Sequence, residues 1–157
     1  MKISAVGGAH ADVISTLHGL CFEHPWHQQA VTDLLAMPGA VAFIASDRDD
    51  PVGFIIARLA ADEAEIITIG TVPAHRHTGI AGALLDYVIN DLTDKGAARL
   101  FLEVAADNNS ALKLYRSRDF ATCGQRPGYY QRPGGAIDAH ILALVFSDQQ
   151  PEHPVVD

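Results

Sequence analysis

Between Ala40 and Val72 three apolar runs follow one another with only short polar turns between them, and after Thr78 the periodicity changes. "AVAFIAS" (40–46), "VGFIIARLA" (52–60) and "IITIGTV" (66–72) have the length and the β-branched and aromatic content of strands. "DRDDP" and "DEAE" separate them, so the three are expected to form a meander. From Thr78 onward Ile80, Leu84, Val88 and Leu92 fall on one helical stripe with Ala81, Leu85 and Ile89 beside it, an amphipathic helix of about four turns. "RLFLEV" (99–104) is almost unbroken apolar sequence, as expected of a central strand. "DNNS" then offers Asp107, Asn108 or Asn109 as the N-cap of a short helix reaching about Arg118. A meander does not fit a doubly wound parallel sheet, whereas the two later strand–helix–strand passages require some parallel pairing. The fold class that meets both demands is α+β: one mixed, mostly antiparallel central sheet with helices on both faces, in three layers.

The flanking segments complete that order. "KISAV" (2–6) reads as a first strand, and residues 10–22 as a helix carrying Val13, Ile14, Leu17, Leu20 and Cys21 at helical spacing. Pro25 suits the first turn of a second helix ending near Leu35. "FATCG" is expected as a strand, 124–135 ("GQRPGYYQRPGG") as a Gly/Pro-rich loop, and 139–146 as the last strand. Residues 1–147 are expected to be a single domain, and 148–157, polar with two prolines, a disordered tail.

Composition narrows the function classes. The net charge of −8 is wrong for a general nucleic-acid binder and suits either plain solubility or a cationic substrate such as an amine or a basic peptide. The two cysteines are too few for a disulfide framework or a structural zinc site. Pairs such as His24/His27 and His75/His77 lack the further ligands a metal would need, so no metal is expected. No run approaches the roughly 20 apolar residues of a membrane span, and the first fifteen residues hold no signal-peptide core. The expectation is a soluble, cytoplasmic protein with no membrane or nucleic-acid partner.

"HRHTGIAGALL" (75–85) places Gly79, Ala81, Gly82 and Ala83 where the long helix begins. Small residues there allow close approach of the backbone to something: a packed neighbour, a nucleotide phosphate, or the pyrophosphate of a larger cofactor. The lysine of a phosphate-binding P-loop is absent, and G-I-A-G is not a dinucleotide fingerprint. A helix N-terminus nevertheless presents free N–H groups and partial positive charge, with Arg76 and His77 just ahead, so an anion is accommodated well. Glu103 ends an apolar strand, with Phe101 on its face and Leu100, Leu102 and Val104 on the other; it is either a rim residue in water or a carboxylate held for proton transfer. Tyr115 and Asn108 have equally plain alternatives as a core tyrosine and a helix cap.

"RHTGIA" (76–81), between the strand at 66–72 and the long helix, resembles the Q/R-x-x-G-x-G/A signature of the GNAT acetyltransferases, and the order of elements matches theirs over nearly the whole chain. "LEV" with "NNSALKLYRSRDF" is similar to the corresponding segment of the RimI branch of that family, the ribosomal-protein alanine N-acetyltransferases; "FEHPW" (22–26), "GYY" (128–130) and "DAHILAL" (138–144) agree with it. The resemblance implies acetyl-CoA as co-substrate, Glu103 as general base and Tyr115 as general acid. It further implies cofactor contacts from Ile69, Gly70, Thr71, Arg76, His77, Thr78, Gly79, Ile80, Ala81, Gly82 and Asn108. Trp26, Tyr129 and Tyr130 would face the acceptor, a primary amine at a protein N-terminus, with a ribosomal protein as the candidate the branch implies. Three departures stand out: Ala105 where the branch often has arginine, Asp119 where it has glycine, and Gly82 where a basic residue is common near the phosphates. A GNAT enzyme acting on a small amine, a non-catalytic acyl-CoA sensor and, third, a nucleotide-binding module remain as alternatives.

Overall fold

A computed structural model of the chain describes residues 1–146. The elements run β1 (Lys2–Val6), α1 (Ala11–Cys21), α2 (Gln28–Ala36), β2 (Ala40–Asp47), β3 (Asp50–Ala60), β4 (Glu63–Thr71), α3 (Ile80–Asp94), β5 (Arg99–Ala105), α4 (Asn109–Arg116), β6 (Ala121–Arg132) and β7 (Gly135–Val145). Short 3₁₀ turns at Gly8–His10 and Pro73–His75 precede α1 and α3. The seven strands form one sheet in the order β1-β2-β3-β4-β5-β7-β6. Only β4 and β5 are parallel neighbours; every other pair is antiparallel.

Strand alternation divides the interior between the two faces. In β3, Ile55 and Ala57 enter one apolar cluster while Phe54 and Ile56 enter the other. The first cluster is closed by α3 through Ile80, Leu84, Leu85, Val88 and Leu92, and by Leu112 and Tyr115 of α4. The second is closed by Ile14 and Leu17 of α1 and Val31 of α2. Leu84, Leu85, Val88 and Leu92 are each 0% exposed, and burial of each contributes about 1.5–3 kcal/mol. The stripe read from the sequence is therefore the face that holds α3 on the sheet. The α+β, three-layer expectation holds.

Several boundaries differ from expectation. The second helix starts at Gln28, and Pro25 lies in the loop before it. β4 begins at Glu63, inside the stretch read as a turn, and α4 stops at Arg116. The largest correction concerns 124–135: no open loop forms there, because β6 runs on to Arg132 and β7 begins at Gly135. The prolines misled because β6 is the outermost strand. An edge strand has N–H groups that need no partner, so Pro127 fits. The register shift between Arg126 and Tyr130 absorbs the remaining irregularity. The expectation for 148–157 falls outside the described residues.

One irregularity opens the sheet. β4 pairs with β5 only at Glu63–Arg99, Ala64–Leu100 and Glu65–Phe101. Its pairing with β3 then jumps from Ala57–Ile66 to Ile56–Thr68, which leaves Ile67 as the extra residue of a bulge. A bulge bends its strand and increases its twist. Beyond it β4 stays with β3, β5 stays with β7, and the two diverge.

Candidate active site

The divergence leaves the edge of β4 beyond Ile66 unpaired on its β5 side, and a groove of about 780 Å³ opens there. Ile69, Gly70 and Thr71 of β4 form one wall; His75 to His77 and Gly79 to Gly82 form the end; Asn108, Ser110, Ala111, Lys113, Leu114, Tyr115 and Ser117 form the other wall. Of the residues expected at a cofactor, all but Thr78 line this one groove. Thr78 lies in the same turn and donates its hydroxyl to the His75 carbonyl.

The turn ahead of α3 has an unusual backbone. His77 has φ 63° and Gly79 φ 87°, the left-handed region that a side chain disfavours. A Cβ on Gly79 would meet nothing within 4 Å, so this glycine faces open space. The first N–H groups of α3 have no side-chain cap there, so they are available to a ligand. Gly82 differs: a Cβ on it would run into the Arg118 guanidinium. Packing therefore explains Gly82, and approach from the groove suits Gly79. Arg76 donates from Nε to the Thr71 carbonyl, 3.1 Å away, which ties the turn to the end of β4. The Thr71 hydroxyl oxygen is buried without a hydrogen-bond partner among the described residues. A buried unpartnered hydroxyl on the wall of an open groove fits a polar ligand.

Asn108 both caps α4 and lines the groove. Its Oδ1 accepts from the Ala111 N–H at 3.2 Å, capping α4. It also lines the groove, with its amide donors uncommitted to the cap. The cap aims α4 so that Tyr115 packs on Phe120, 6% exposed, while still bordering the groove. Burial pushes the Tyr115 hydroxyl up to about 12, with Tyr130 adding to the shift. At neutral pH it is a protonated donor.

Glu103 lies on the opposite face of the sheet, lining a second groove of about 440 Å³ with Phe101, Leu34, Met37 and Arg126. Arg126 Nε is 2.8 Å from Glu103 Oε1. Arg126 opposes Ala139, which opposes Ala105, so the three form one row across β6, β7 and β5 beside Glu103. Two small side chains in that row leave room for a long one. Arg126 is the site residue that sequence reasoning missed, because its strand was read as loop; with β6 extended, register alone would have brought it beside Glu103. The guanidinium also lies 5.7 Å from the Tyr129 ring centre.

Tyr130 connects the two faces. Burial raises its hydroxyl, and the nearby Glu103 carboxylate raises it further. Tyr130 in turn adds to the shift of Tyr115. Tyr130 is thus within electrostatic reach of Glu103 on one side and of Tyr115 on the other. Arg132 brackets the arrangement, 5.4 Å from the Tyr130 ring centre and 3.3 Å from Asp107 Oδ2. Trp26 is not brought to this cluster. Its ring stacks on His18 at 4.5 Å, its backbone N–H donates to His18 Nδ1 at 3.2 Å, and it lines neither groove. Among the described residues no group of three or more His, Cys, Asp or Glu could hold a metal ion.

The acetyltransferase (GNAT) family model matches residues 11–120. The "[Ribosomal protein bS18]-alanine N-acetyltransferase" of Escherichia coli (strain K12) is 38% identical over 94 residues, which cover 60% of this chain and 64% of that protein. The enzyme of the same name from Salmonella typhimurium is 35% identical over 99 residues, covering 63% of this chain and 67% of the relative. The match thus spans a little under two thirds of the Escherichia coli relative's length. The crystal structure of the ribosomal-protein-S18-alanine N-acetyltransferase from Escherichia coli superposes with TM-score 0.90 at 26% identity, over 99% of each chain. Arabidopsis thaliana NAA60 in complex with acetyl-CoA shares the fold, with TM-score 0.77 at 20% identity over 92% of this chain and 98% of that one. With the parted strands, the glycine turn and the matched family segment in agreement, this chain belongs to the GNAT acetyltransferase family.

Proposed function

We propose that the protein is an acetyl-CoA-dependent N-acetyltransferase acting on the N-terminal α-amine of a protein, as the names of its relatives describe for a ribosomal protein. The observation that carries this is that Tyr115 and Glu103 line grooves on opposite faces of the sheet, with Tyr130 in electrostatic reach of both. One side supplies a proton acceptor and the other a proton donor, which is what transfer between two substrates entering from opposite faces requires.

The co-substrate would supply an acetyl thioester. The unpaired edge of β4 at Ile69–Thr71 would hold its extended arm through backbone hydrogen bonds. The turn at Arg76–Gly79 and the first N–H groups of α3 would hold its phosphates. Asn108 would donate from its side-chain amide. Glu103 accepts the proton that converts the acceptor's ammonium to the free amine, directly or through water. Backbone N–H groups of β4 stabilise negative charge on the thioester oxygen. Tyr115 gives its proton to the departing thiolate sulfur; the second proton of the attacking nitrogen passes to solvent as the amide forms, and solvent reprotonates Tyr115. Trp26 anchors the α1–α2 loop through its stack on His18, and Tyr129 and Tyr130 provide apolar faces with polar edges for a peptide terminus.

The ion pair between Arg126 and Glu103 bears on the acceptor. Arg126 is 55% exposed, and so exposed a pair is weak enough to exchange. An incoming ammonium would take the place of the guanidinium on the carboxylate. Acetylation of a ribosomal protein would place the enzyme in the cytoplasm. Among the described residues no helix is long and apolar enough to cross a membrane. The test is thiol release from acetyl-CoA with alanine-starting peptides, the same peptides blocked at the N-terminus, and small primary amines. Release with the free peptides alone is expected. Release only with small amines favours a small-molecule enzyme, and coenzyme A binding with no release favours a sensor.

A further inference from the structure

The departure at Gly82 removes a basic side chain from the phosphate end of the groove, and the structure shows what stands in the vacated space. Arg118, from the turn after α4, lays its side chain along α3. Nε donates to Asp86 Oδ1 at 2.8 Å and Nη2 to Asp86 Oδ2 at 3.2 Å, a two-point clamp on the residue one turn below Gly82. Nη1 donates to the Ser117 hydroxyl at 3.2 Å. From that anchorage the guanidinium reaches toward the helix N-terminus until it lies against Gly82, where any Cβ would collide with it.

Gly82 and Ser117, its two neighbours, both line the groove, so the guanidinium stands directly behind that lining without itself forming part of it. Three of the five N–H donors of the guanidinium are used by Asp86 and Ser117, which leaves two. Its side chain is 27% exposed and held on two sides, so little rotamer freedom remains to be lost on binding. A fixed cation there adds to the positive end of α3. It matters more in a chain of net charge −8, where long-range attraction for an anion is lacking.

We propose that Arg118, clamped by Asp86 and admitted by Gly82, is a phosphate-binding residue for the coenzyme A moiety, supplying from the turn after α4 the guanidinium donors that position 82 does not carry. The proposal rests on the assignment of the groove to acetyl-CoA. Its chemistry is a guanidinium on a phosphate oxygen, and that oxygen belongs either to the pyrophosphate or to the 3′-phosphate.

The experiment is calorimetric titration of coenzyme A into the full chain and into Arg118→Met, Gly82→Ala and the double variant, with thermal midpoints measured alongside. Wild-type binding tests the groove assignment itself; no binding overturns that assignment and this proposal with it. Given wild-type binding, Arg118→Met should weaken affinity roughly tenfold. Gly82→Ala should weaken it comparably by forcing the guanidinium aside, while its thermal midpoint does not fall, since alanine is the better helix former. The double variant should be no weaker than either single variant, because both remove one interaction. Affinity of Arg118→Met within about twofold of wild type, or penalties that simply add, would overturn the proposal. Repeating the series with 3′-dephospho-coenzyme A names the oxygen: an unchanged penalty assigns the pyrophosphate, and a vanished one the 3′-phosphate.

Discussion

Arg126 and Glu103 form an ion pair at 2.8 Å on the face of the sheet opposite the glycine turn. Glu103 is the member assigned a proton-accepting role, so Glu103→Gln should lower turnover by roughly 10²–10⁴ at neutral pH. Part of the loss should return at high pH, where the free amine becomes abundant. Arg126→Gln is expected to cost less than about 1 kcal/mol of stability, since the pair is exposed, and to alter the KM for the acceptor more than that for acetyl-CoA. A Glu103→Gln rate equal to wild type across the pH range would remove Glu103 from the chemistry.

Tyr115 is the residue proposed to carry the complementary proton. Its hydroxyl is pushed up to about 12 by burial. It should therefore remain a donor throughout the range in which the enzyme can be assayed. Tyr115→Phe should reduce kcat by roughly 10²–10⁴ with the KM for acetyl-CoA little changed. Steady-state kinetics on both substrates would show it. A variant that keeps kcat and loses only stability would return Tyr115 to a packing role.

Gly79 and Gly82, three residues apart, should both weaken cofactor binding when substituted, but for different reasons: Gly82 through Arg118, Gly79 through the turn itself. Gly79 faces open space at φ 87°. Gly79→Val should raise the KM for acetyl-CoA about tenfold or more, by strain and by obstruction of the first N–H groups. An unchanged KM would mean that nothing approaches the turn.

The α1–α2 loop gives a prediction about stability. His18 is 3% exposed, stacked between Phe22 and Trp26, and accepts the Trp26 backbone N–H at Nδ1. Burial lowers its pKa below the ordinary 6.5. The unfolded chain then takes up a proton at a pH where the folded chain does not. Stability should be fully present above 6.5 and decline as pH falls from there toward the folded value. Thermal midpoints of wild type and His18→Gln measured from neutral to mildly acidic pH would show a shallower decline in the variant. Parallel curves would exclude His18 as the cause.

The parts of the fold carried by strong periodicity were legible in the sequence: the β2–β4 meander, the α3 stripe and the apolar β5 all lie where the pattern places them. β6 was not legible, because proline and glycine mark loops in most settings and only the edge position of β6 makes them tolerable within a strand. That one misassignment concealed Arg126 and the cross-strand row that places it beside Glu103. The glycine turn was legible as a small-residue helix start, but the separate reason for Gly82 depends on Arg118, far away in sequence and close only after α4 packs beside α3. Trp26 showed the limit of composition: an aromatic residue in a loop suits both a ligand and an anchor, and the stack on His18 gives it the second role.

The most direct measurement is mass-spectrometric location of the acetyl group after incubation of the protein with acetyl-CoA and a peptide carrying both a free N-terminal alanine and an internal lysine. Acetyl transfer at the α-amine, abolished in Glu103→Gln at neutral pH, is the predicted result. Modification of the lysine alone, or an unmodified peptide under conditions in which coenzyme A binds, would contradict it.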